Sequence, residues 1–557
     1  MKHTKWIGIG LMAAACVSLA ACGSSSESSS AQPSGDTAST QAVTSNNDAL
    51  DKQENIDNSV RHDSLTLQAK TNASLSPFGT KLDLQSLYEV YEMLYTMDAG
   101  GERYAVLADA SRGEYGGYDH EDGTGVYDFY IYDYIYDHNG NHITASDVAF
   151  SFVYQYNNAE TSGWDTFVSA EAVDDTTCRF TFSRDLTGLG EFDNIFCRQF
   201  IVSEASFDED GNAFANAMCG TGPYEFVSYT SGSTIVLKAN ENYWQTDESL
   251  IRQESMQNVE NLVYSFVDEE TQMVIGLETG TIDVAQVSAS SLDDFQDGGK
   301  YADQFQIYSF LDKLNVFMMC NCDPVSPTSD VNLRLAIYNA IDNYGLATAL
   351  GQGYEAAVMM GSSYYSDYDM VDWASLENYN TKATVDPEAV SAYLADSSYS
   401  GQTLTILANN TLSKEVEIVV NMLSAVGINA EPKLADISTY NALAADASAW
   451  DITINTMAGD FIATVWQHGF DVGNTASGLA ANFVDDPEWQ ELLEACYGSE
   501  ESHTSEALLA WWQHAVDNGY CMGLYNNYDY YVIPTYVATF CMGDKQFALP
   551  GGFTFNE

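Results

Sequence analysis

Apolar and polar residues alternate in several short stretches of the chain, and the clearest of them predicts a strand. In the segment 126–137, Tyr127, Phe129 and Ile131 occupy every second position, which is the period of a half-buried strand. Asn139-Gly140 follows and is typical of a hairpin turn. The chain is therefore predicted to turn back directly after this strand.

Other stretches repeat their apolar residues with the period of a helix. Thr144 and Asp147 have the spacing of a capping box in front of the apolar run 148–152, so a helix is predicted to begin there. Asp386-Pro387 opens another helix. A third helix is predicted by apolar residues at positions 333, 337 and 341.

The first 60 residues have a different pattern, typical of an export signal followed by a linker. Lys2 and Lys5 precede an uncharged apolar run of 16 residues, 6–21, which is shorter than the ~20 residues that span a membrane. The small residues before Cys22 resemble the lipobox of bacterial lipoproteins, which implies that residues 1–21 are a signal peptide and that Cys22 is the lipidation site. The alternative is a signal peptide cleaved at an Ala-x-Ala site, which would leave Cys22 as a free thiol.

The segment after Cys22 favours the lipoprotein interpretation. Residues 22–60 are rich in Ser, Thr, Ala, Gln and Asn and cannot bury a core, so they are predicted to form a flexible tether. A signal, a cysteine and a tether in this order place the protein outside the cytoplasm, attached by lipid to the bacterial cell membrane, on the cell surface or the periplasmic face.

Composition then narrows the possible functions. The 557 residues include 80 acidic and 20 basic side chains, and the formal net charge of −60 argues against a nucleic-acid partner, because phosphate binding needs a basic surface. Hydrophobic residues make up 45% and aromatic residues 13%, well above a disordered acidic chain, so most of the chain must fold. The length predicts two to four domains or one large two-lobed architecture. The 36 tyrosines suit clefts as well as cores.

Signatures of common enzymes and of metal sites are missing. The sequence contains no G-x-S-x-G, H-E-x-x-H or G-x-x-x-x-G-K-[ST] motif, so no enzymatic activity and no cofactor is predicted. His138 and His142 flank the predicted turn and are interpreted as loop residues. Cys320 and Cys322 share one face of the apolar run 316–322, where a core strand is the preferred interpretation over a metal pair. The remaining cysteines lack the density of a disulfide scaffold.

Five sequence blocks resemble, in the same order, the motifs of one protein family. They are the strand, turn and capped helix of 126–152, the block Gly220-Thr221-Gly222-Pro223-Tyr224 with 240–244, and the segments 277–283, 330–342 and 427–430. With the helix start Asp386-Pro387-Glu388-Ala389, the segment 525–536 and the early loop 74–78, the resemblance spans about residues 64–545. This set resembles the family 5 extracellular solute-binding proteins, which are the oligopeptide- and dipeptide-binding subunits of ABC importers.

The resemblance implies a fold and a domain organisation. Family members have an α/β, two-lobed periplasmic-binding-protein-like fold of type II, hinge-connected, with an extra subdomain on the first lobe. In this chain the first lobe is predicted at 61–90, 217–308 and 525–557, the extra subdomain at 91–216 and the second lobe at 309–524. The hinge strands are predicted near 308–315 and 523–527.

The resemblance also implies where the solute binds. Asp460 is expected to meet the α-amino group of a peptide, although a solvated loop aspartate is the other interpretation. Thr456, Met457 and Gly459 are further candidates from the same segment. Ser74 and Ser76 are candidates because their early loop resembles the family's cleft-facing loop. Trp466 is a candidate for lining the cleft as an aromatic residue. Trp373, Tyr364 and Tyr365 are also candidates for lining, with a core position preferred for every aromatic. The family's Trp and Asp-Pro are missing around Gly459-Asp460.

The predicted function is therefore capture of peptides in a cleft between the lobes and delivery to ABC-transporter permease subunits, by a monomer tethered to the membrane through Cys22. Arg334 belongs to a predicted structural helix and is not expected to bind a ligand carboxylate. Two alternatives remain: a protein of the same fold that binds another solute, such as an oligosaccharide, a metal chelate or an amine, and a surface sensor or adhesin without transport.

Overall fold

The structure is a computed structural model that describes residues 45–51, 60–71, 74–79, 85–98, 100–113, 116–119, 123–158, 164–376, 385–459, 461–470 and 482–556. The predicted signal peptide, Cys22 and Asp460 lie outside the described residues. Among those that are described, no helix combines the length and the apolar character that crossing a membrane requires.

The chain forms a mixed succession of strands and helices. The strands are β1 His62–Ala69, β2 Tyr95–Met97, β3 Arg103–Ala105, β4 Gly116–Asp119, β5 Gly125–Tyr130, β6 Phe167–Asp174, β7 Thr177–Phe182, β8 Tyr224–Thr230, β9 Thr234–Ala239, β10 Val259–Phe266, β11 Ala285–Val287, β12 Phe305–Cys320, β13 Tyr354–Ala356, β14 Leu404–Asn409, β15 Ala430–Ala435, β16 Ile452–Met457, β17 Cys521–Pro534, β18 Val537–Thr539 and β19 Thr554–Phe555. The α-helices are α1 Asn47–Leu50, α2 Leu87–Val90, α3 Ala145–Asn158, α4 Glu191–Phe196, α5 Glu204–Asp210, α6 Glu270–Thr279, α7 Val331–Ala340, α8 Asn343–Leu350, α9 Pro387–Asp396, α10 Ser413–Ala425, α11 Ile437–Ala444, α12 Ile462–Phe470, α13 Pro487–Tyr497 and α14 Ser505–Asn518.

The described residues contain five sheets, of which two, β2-β3 and β18-β19, have only two strands. A four-stranded sheet has the order β1-β10-β9-β8, in which β1 and β10 are parallel and the other pairs antiparallel. A seven-stranded sheet has the order β11-β17-β12-β16-β14-β15, with β13 paired to β17. A third, antiparallel sheet has the order β4-β5-β7-β6. The core of the first sheet also includes Phe310 and Tyr531 of the seven-stranded sheet, and the core of the third sheet is rich in phenylalanine.

Strand β12 is the longest element of the large sheet and changes neighbours along its length. Residues 315–320 pair with β16 on one side and β17 on the other, whereas residues 305–311 pair with β17 alone. The register shifts between Leu311 and Asn315, so Asp312, Lys313 and Leu314 form a bulge. We call residues 312–314 the crossing bulge, because β12 passes there from one set of neighbours to the other.

The predicted capping box is confirmed. The Thr144 amide donates to Asp147 Oδ2 at 2.8 Å, and helix α3 begins at Ala145. The strand predicted over 126–137 is shorter than expected, since β5 ends at Tyr130. Its partner β7 begins opposite, at Thr177, so no strand is left for the following residues to pair with.

The glycines of the block 220–224 bring two backbone segments into close contact. A Cβ on Gly220 would lie 2.1 Å from the Val90 carbonyl oxygen, and one on Gly222 would lie 2.6 Å from that of Glu89. Only glycine permits this approach of two backbones. The block therefore fixes α2 against the start of β8.

Residues 45–51, within the segment predicted as tether, are docked on β12. The Asn47 side chain donates to the Ser309 carbonyl at 2.6 Å and accepts from the Ser309 amide at 2.9 Å. Leu50 is buried in the core of the sheet β1-β10-β9-β8. The edge of β12 that lacks a strand neighbour is thus covered by α1.

Candidate functional site

The carboxyl end of β16 is the place in the large sheet where a ligand is expected. Strand β16 runs parallel to β14 and antiparallel to β12, and its last pair is Met457 opposite Asn315. In open α/β sheets, ligands bind outside the carboxyl ends of the strands. Ala458 and Gly459 follow this end, and α12 begins at Ile462, so the segment 456–461 includes the predicted Asp460 position.

Ala458 leaves its main chain available at this point. It is exposed, and its amide and carbonyl make no hydrogen bond with the described residues. Backbone groups in an extended conformation beside a strand can pair with the main chain of an extended ligand. This is the chemistry that the end of β16 offers.

A second segment supports the end of β16 from behind. We call Gly361 to Asp367 the bracket segment, because it contacts the crossing bulge on one side and the start of α12 on the other. The Ser362 hydroxyl donates to the Asp312 carbonyl at 3.0 Å, and the Gly361 amide donates to Asn315 Oδ1 at 3.0 Å. Both bonds join the bracket segment to β12.

Tyr365 joins the bracket segment to the candidate site itself. Its hydroxyl accepts a hydrogen bond from the Gly459 amide at 3.1 Å and donates one to the Lys313 carbonyl at 2.5 Å. The side chain is buried. One hydroxyl therefore connects the residue before position 460 to the crossing bulge.

Asp367 binds the other side of position 460. Its carboxylate accepts from the amides of Ile462 at 2.8 Å and Ala463 at 3.4 Å, the first two residues of α12. A helix N-terminus can attract an anionic ligand, but these two amides are already occupied by a carboxylate of the chain. The start of α12 is therefore a fixed support rather than an anion site.

His503 lies beside Asp367 in the same buried pocket. Its Nε2 is 3.5 Å from Asp367 Oδ2, and its Nδ1 is 2.8 Å from the Cys496 carbonyl oxygen. Burial raises the pKa of Asp367, while the helix amides and His503 act in the opposite direction. The pair ties α12 to the chain between α13 and α14.

An ion pair lies on the bulge next to Tyr365. Lys313 Nζ is 2.9 Å from Asp544 Oδ1, and both side chains are mostly buried. The Tyr364 ring lies 5.5 Å from the same ammonium group. Since Asp544 comes from the C-terminal segment and Tyr364 from the bracket segment, Lys313 connects two parts of the chain far apart in sequence.

Asp544 also lines a recess between the C-terminal segment and the chain around α2. The recess contains about 660 Å³ of empty space, open solvent included. It is lined by tyrosines, carboxylates and the C-terminal segment, among them Tyr88, Tyr104, Glu92, Glu254, Asp544 and Phe547. Such a surface combines flat apolar rings with acceptors for a cationic group.

Glu92 lies at the base of this recess. It accepts from the Tyr243 hydroxyl at 2.6 Å and from Trp244 Nε1 at 2.7 Å. Burial raises the pKa of Glu92 to about 7, although these hydrogen bonds oppose the shift. Its two donors hold the carboxyl group in one orientation.

The segment just before α4 also contacts the chain beside the site. The Leu189 amide donates to the Tyr497 carbonyl at 3.0 Å. A Cβ on Gly190 would lie 3.4 Å from the Phe461 ring. Phe461, next to position 460, is thus in contact with the segment before α4.

The structure places the predicted residues in three different settings. Thr456, Met457 and Gly459 lie together at the end of β16, and Met457 is 5% exposed. Ser74 and Ser76 lie in the loop after β1, where their hydroxyls accept from the amides of Ser76 and Phe78. The described contacts of that loop run to Ala215 and Gln155.

Trp466 lies in the core behind the site. It is 0% exposed and stacks on Trp511 with 4.2 Å between ring centroids. Its indole N–H donates to the Met360 carbonyl at 2.7 Å, immediately before the bracket segment. In this conformation Trp466 holds α12 in place and has no surface exposed to a solute.

The sequence did not indicate the roles of Ser362, Asp367, Lys313 or Asp544. Their partners lie roughly 50 to 230 positions away, and no local pattern marks such contacts. Tyr365 was named only as one of many aromatics. The scarcity of lysines beside 80 acidic residues is the one signal that could have drawn attention to Lys313.

Metal and redox chemistry find no support in the described part of the chain. There, no group of three or more His, Cys, Asp or Glu side chains is placed to hold a metal ion. The eight cysteines from Cys178 to Cys541 are free thiols, and seven of them are buried. Arg334 is a buried structural residue that donates to the carbonyls of Thr328, Ser329 and Asn518.

Comparisons with known proteins agree with this architecture. The model of bacterial extracellular solute-binding proteins, family 5 middle region, matches residues 110–483. Heme-binding protein A of Haemophilus influenzae is 24% identical over 328 residues, which are 53% of this chain and 55% of that protein. The chain thus matches about half the length of this curated relative.

Solved structures extend the likeness to most of the chain. The oligopeptide-binding protein AppA of Bacillus subtilis, in complex with a nonapeptide, is 17% identical with a TM-score of 0.66, and the match covers 89% of this chain and 100% of that one. NikZ of Campylobacter jejuni, in complex with Ni(L-His), is 16% identical with a TM-score of 0.67 and the same coverage of both chains. At these identities the likeness shows the fold, and the predicted two-lobed α/β architecture is confirmed.

Proposed function

Because the chain belongs to family 5 of the bacterial extracellular solute-binding proteins, we propose that it captures peptides between its two lobes and delivers them to an ABC-transporter permease. Family members are extracytoplasmic binding proteins and not enzymes. The proposal concerns the solute, the site that holds it and the attachment to the membrane.

The observation that carries the peptide proposal is the exposed main chain at the end of β16. Ala458 presents an amide and a carbonyl that pair with no described residue, beside a backbone held in place by Tyr365. An extended peptide can use such groups whatever its side chains are, which suits a transporter of varied peptides. The nonapeptide bound by the structurally similar AppA supports this choice.

The recess lined by Asp544 offers aromatic walls, while its carboxylates have partners in the chain: Asp544 pairs with Lys313 and Lys545, and Glu254 with Arg252. Its wall contains Glu92, Glu254 and Asp544, together with tyrosine rings that tolerate different side chains. The net charge of −60 adds a field that favours cationic over anionic solutes at low salt. We assign the ammonium group of the peptide to Asp460, with Thr456, Met457 and Gly459 beside it and Ser74 and Ser76 on the opposite wall.

The domain organisation and the anchor complete the proposal. The lobes are assigned as 61–90, 217–308 and 525–557 for the first and 309–524 for the second, with 91–216 as the extra subdomain. Ligand binding would shift an equilibrium between open and closed arrangements, and a permease can distinguish the two. A lipid on Cys22 would keep the protein beside its permease.

Asp460→Asn tests the proposed site. The variant should bind free-amine peptides more weakly and N-acetylated peptides as the wild type does, because only the free amine carries the positive charge that Asp460 would meet. Isothermal titration calorimetry with both forms of one peptide measures the difference. Equal losses for both forms, or no loss, would remove Asp460 from the site.

The solute class is tested separately with the wild-type protein. A panel of peptides, heme and Ni(L-His) is titrated under the same conditions, since similar proteins are described with each of these solutes. Peptides should give the only saturable heat. Saturable binding of heme or of the nickel complex without a response to peptides would overturn the peptide assignment and leave the family assignment intact.

A further inference from the structure

We propose that Tyr365 is a positioning residue that holds the ligand-contacting segment 456–461 in register with the crossing bulge of β12. This inference rests on the proposed function, because it concerns the same segment. It assigns to Tyr365 a role in affinity although the side chain itself does not contact the solute.

The Tyr365 hydroxyl makes two hydrogen bonds to the main chain. A tyrosine hydroxyl has one hydrogen to donate, and here it is donated to the Lys313 carbonyl, while an oxygen lone pair accepts from the Gly459 amide. The side chain is 3% exposed, so water cannot readily replace either bond. The hydroxyl therefore fixes the distance between Gly459 and Lys313.

Gly459 directly precedes position 460, and Ile462, whose amide is held by Asp367, follows two residues later. Tyr365 and Asp367 both belong to the bracket segment. Gly459 and Ile462 are thus both attached to one support, the bracket segment.

Gly459 also packs on α12. A Cβ on Gly459 would lie 2.8 Å from the Val465 side chain and 3.1 Å from the Thr464 hydroxyl. The backbone at Gly459 therefore lies directly against the helix, and Trp466 ties that helix to Met360. Among the described residues, this van der Waals contact with α12 is the only restraint on the Gly459 amide besides the bond to Tyr365.

The Tyr365 hydroxyl also connects the site to the crossing bulge of β12. Lys313 lies in the crossing bulge, and its ammonium group pairs with Asp544 in the wall of the recess. A shift of the bulge would move the carbonyl that Tyr365 holds, and with it Gly459. Tyr365 is therefore placed to keep the two walls of the proposed site in a constant relation.

The experiment compares Tyr365→Phe with Tyr368→Phe. The first variant keeps the ring and removes the hydroxyl that bonds Gly459, and the second removes a hydroxyl from the same part of the chain for which no hydrogen bond is described. Loss of one or two buried hydrogen bonds corresponds to about a five- to twentyfold weaker affinity. We expect this loss in Tyr365→Phe for a free-amine peptide and, because the same segment presents the Ala458 main chain, for its N-acetylated form as well, and no loss in Tyr368→Phe.

Hydrogen exchange without ligand provides the second measurement. In Tyr365→Phe the Gly459 amide should exchange at least tenfold faster than in the wild type, while amides in the middle of α12 stay unchanged. Hydrogen exchange separates the two proposals. If the wild-type protein does not bind peptides, the proposed function is wrong, and exchange at Gly459 still tests the role of Tyr365. Unchanged exchange at Gly459, or a peptide affinity equal to that of the wild type, would overturn the positioning role.

Discussion

The two halves of β12 are built from one strand but have opposite character. Every residue from Asn315 to Cys320 is buried, whereas in residues 305–311 only Ile307 and Phe310 are buried. The second half has strand neighbours on both sides, and the first half has one strand and the two asparagines of the N-terminal segment. The difference indicates that the second half is enclosed in the core behind the candidate site, and that the first half, residues 305–311, is the less buried and more polar one.

The largest expected effect comes from the buried half. Met318→Ala should lower the free energy of unfolding by about 2–5 kcal/mol, because it leaves a cavity in a core where Met318 is fully buried. Leu311→Ala in the polar half, which is only partly buried, should cost about 1 kcal/mol or less. Thermal unfolding of both variants measures the difference. Equal losses would contradict the distinction between the halves.

The next effect concerns the junction of the two halves. The Asn315 side chain donates to Asn526 Oδ1 at 2.9 Å and accepts from the Gly361 amide at 3.0 Å. Asn315→Ala leaves both partners unsatisfied in a buried place, at an expected cost of about 1–3 kcal/mol. The double variant Asn315→Ala/Asn526→Ala should lose less than the sum of the single changes. Additive losses would show that the two amides act independently.

A smaller effect is expected where the N-terminal segment covers the polar half. Asn47→Ala removes two hydrogen bonds to Ser309 and should cost about 1 kcal/mol, because the Ser309 backbone can turn to water. Asn46 keeps its own bonds to Ile307. Faster hydrogen exchange at Ser309, with no change at Met318, is the expected signature. Protection that persists at Ser309 would mean that the segment does not cover this edge.

A pH dependence is also expected at the strand pair that the polar half forms with β17. Burial and the neighbouring Asp312 raise the pKa of Asp529 from 3.8 to about 6. The folded protein thus holds a proton that the unfolded chain releases near pH 4, so the stabilisation from this group is present below about pH 4 and is lost as the pH rises through about 6. In Asp529→Asn, the midpoint of thermal unfolding should change less between pH 4 and pH 6 than it does in the wild type. If the midpoint of the variant depends on pH as steeply as that of the wild type, another group causes the dependence.

The same comparison shows what the sequence could predict. The uninterrupted apolar run from Val316 onward indicated a buried strand, and the structure confirms one through Cys320, because a strand with neighbours on both sides needs no polar face. The predicted lobe boundary after residue 308 falls inside β12, where the pairing with β17 continues through Leu311. No residue pattern marks the crossing bulge, since it is set by the partners of Asp312 and Lys313 in distant segments.

The candidate site was predictable only in its position along the chain. The motif resemblance pointed to the end of β16, and the structure places Thr456, Met457 and Gly459 there. The supports of that end, Tyr365 and Asp367, act through hydrogen bonds to residues about 95 positions away. Such contacts depend on how the sheet and α12 pack, and a single sequence contains no periodicity that reports them.

The most direct test of the account is native mass spectrometry of the purified wild-type protein, performed without added ligand. A binding protein that encloses its solute between two lobes retains part of it through purification. The account predicts peaks displaced from the protein mass by a distribution of peptide masses, which collapse to one peak after mild denaturation and refolding. A single displacement that matches heme or a metal complex would contradict the peptide assignment.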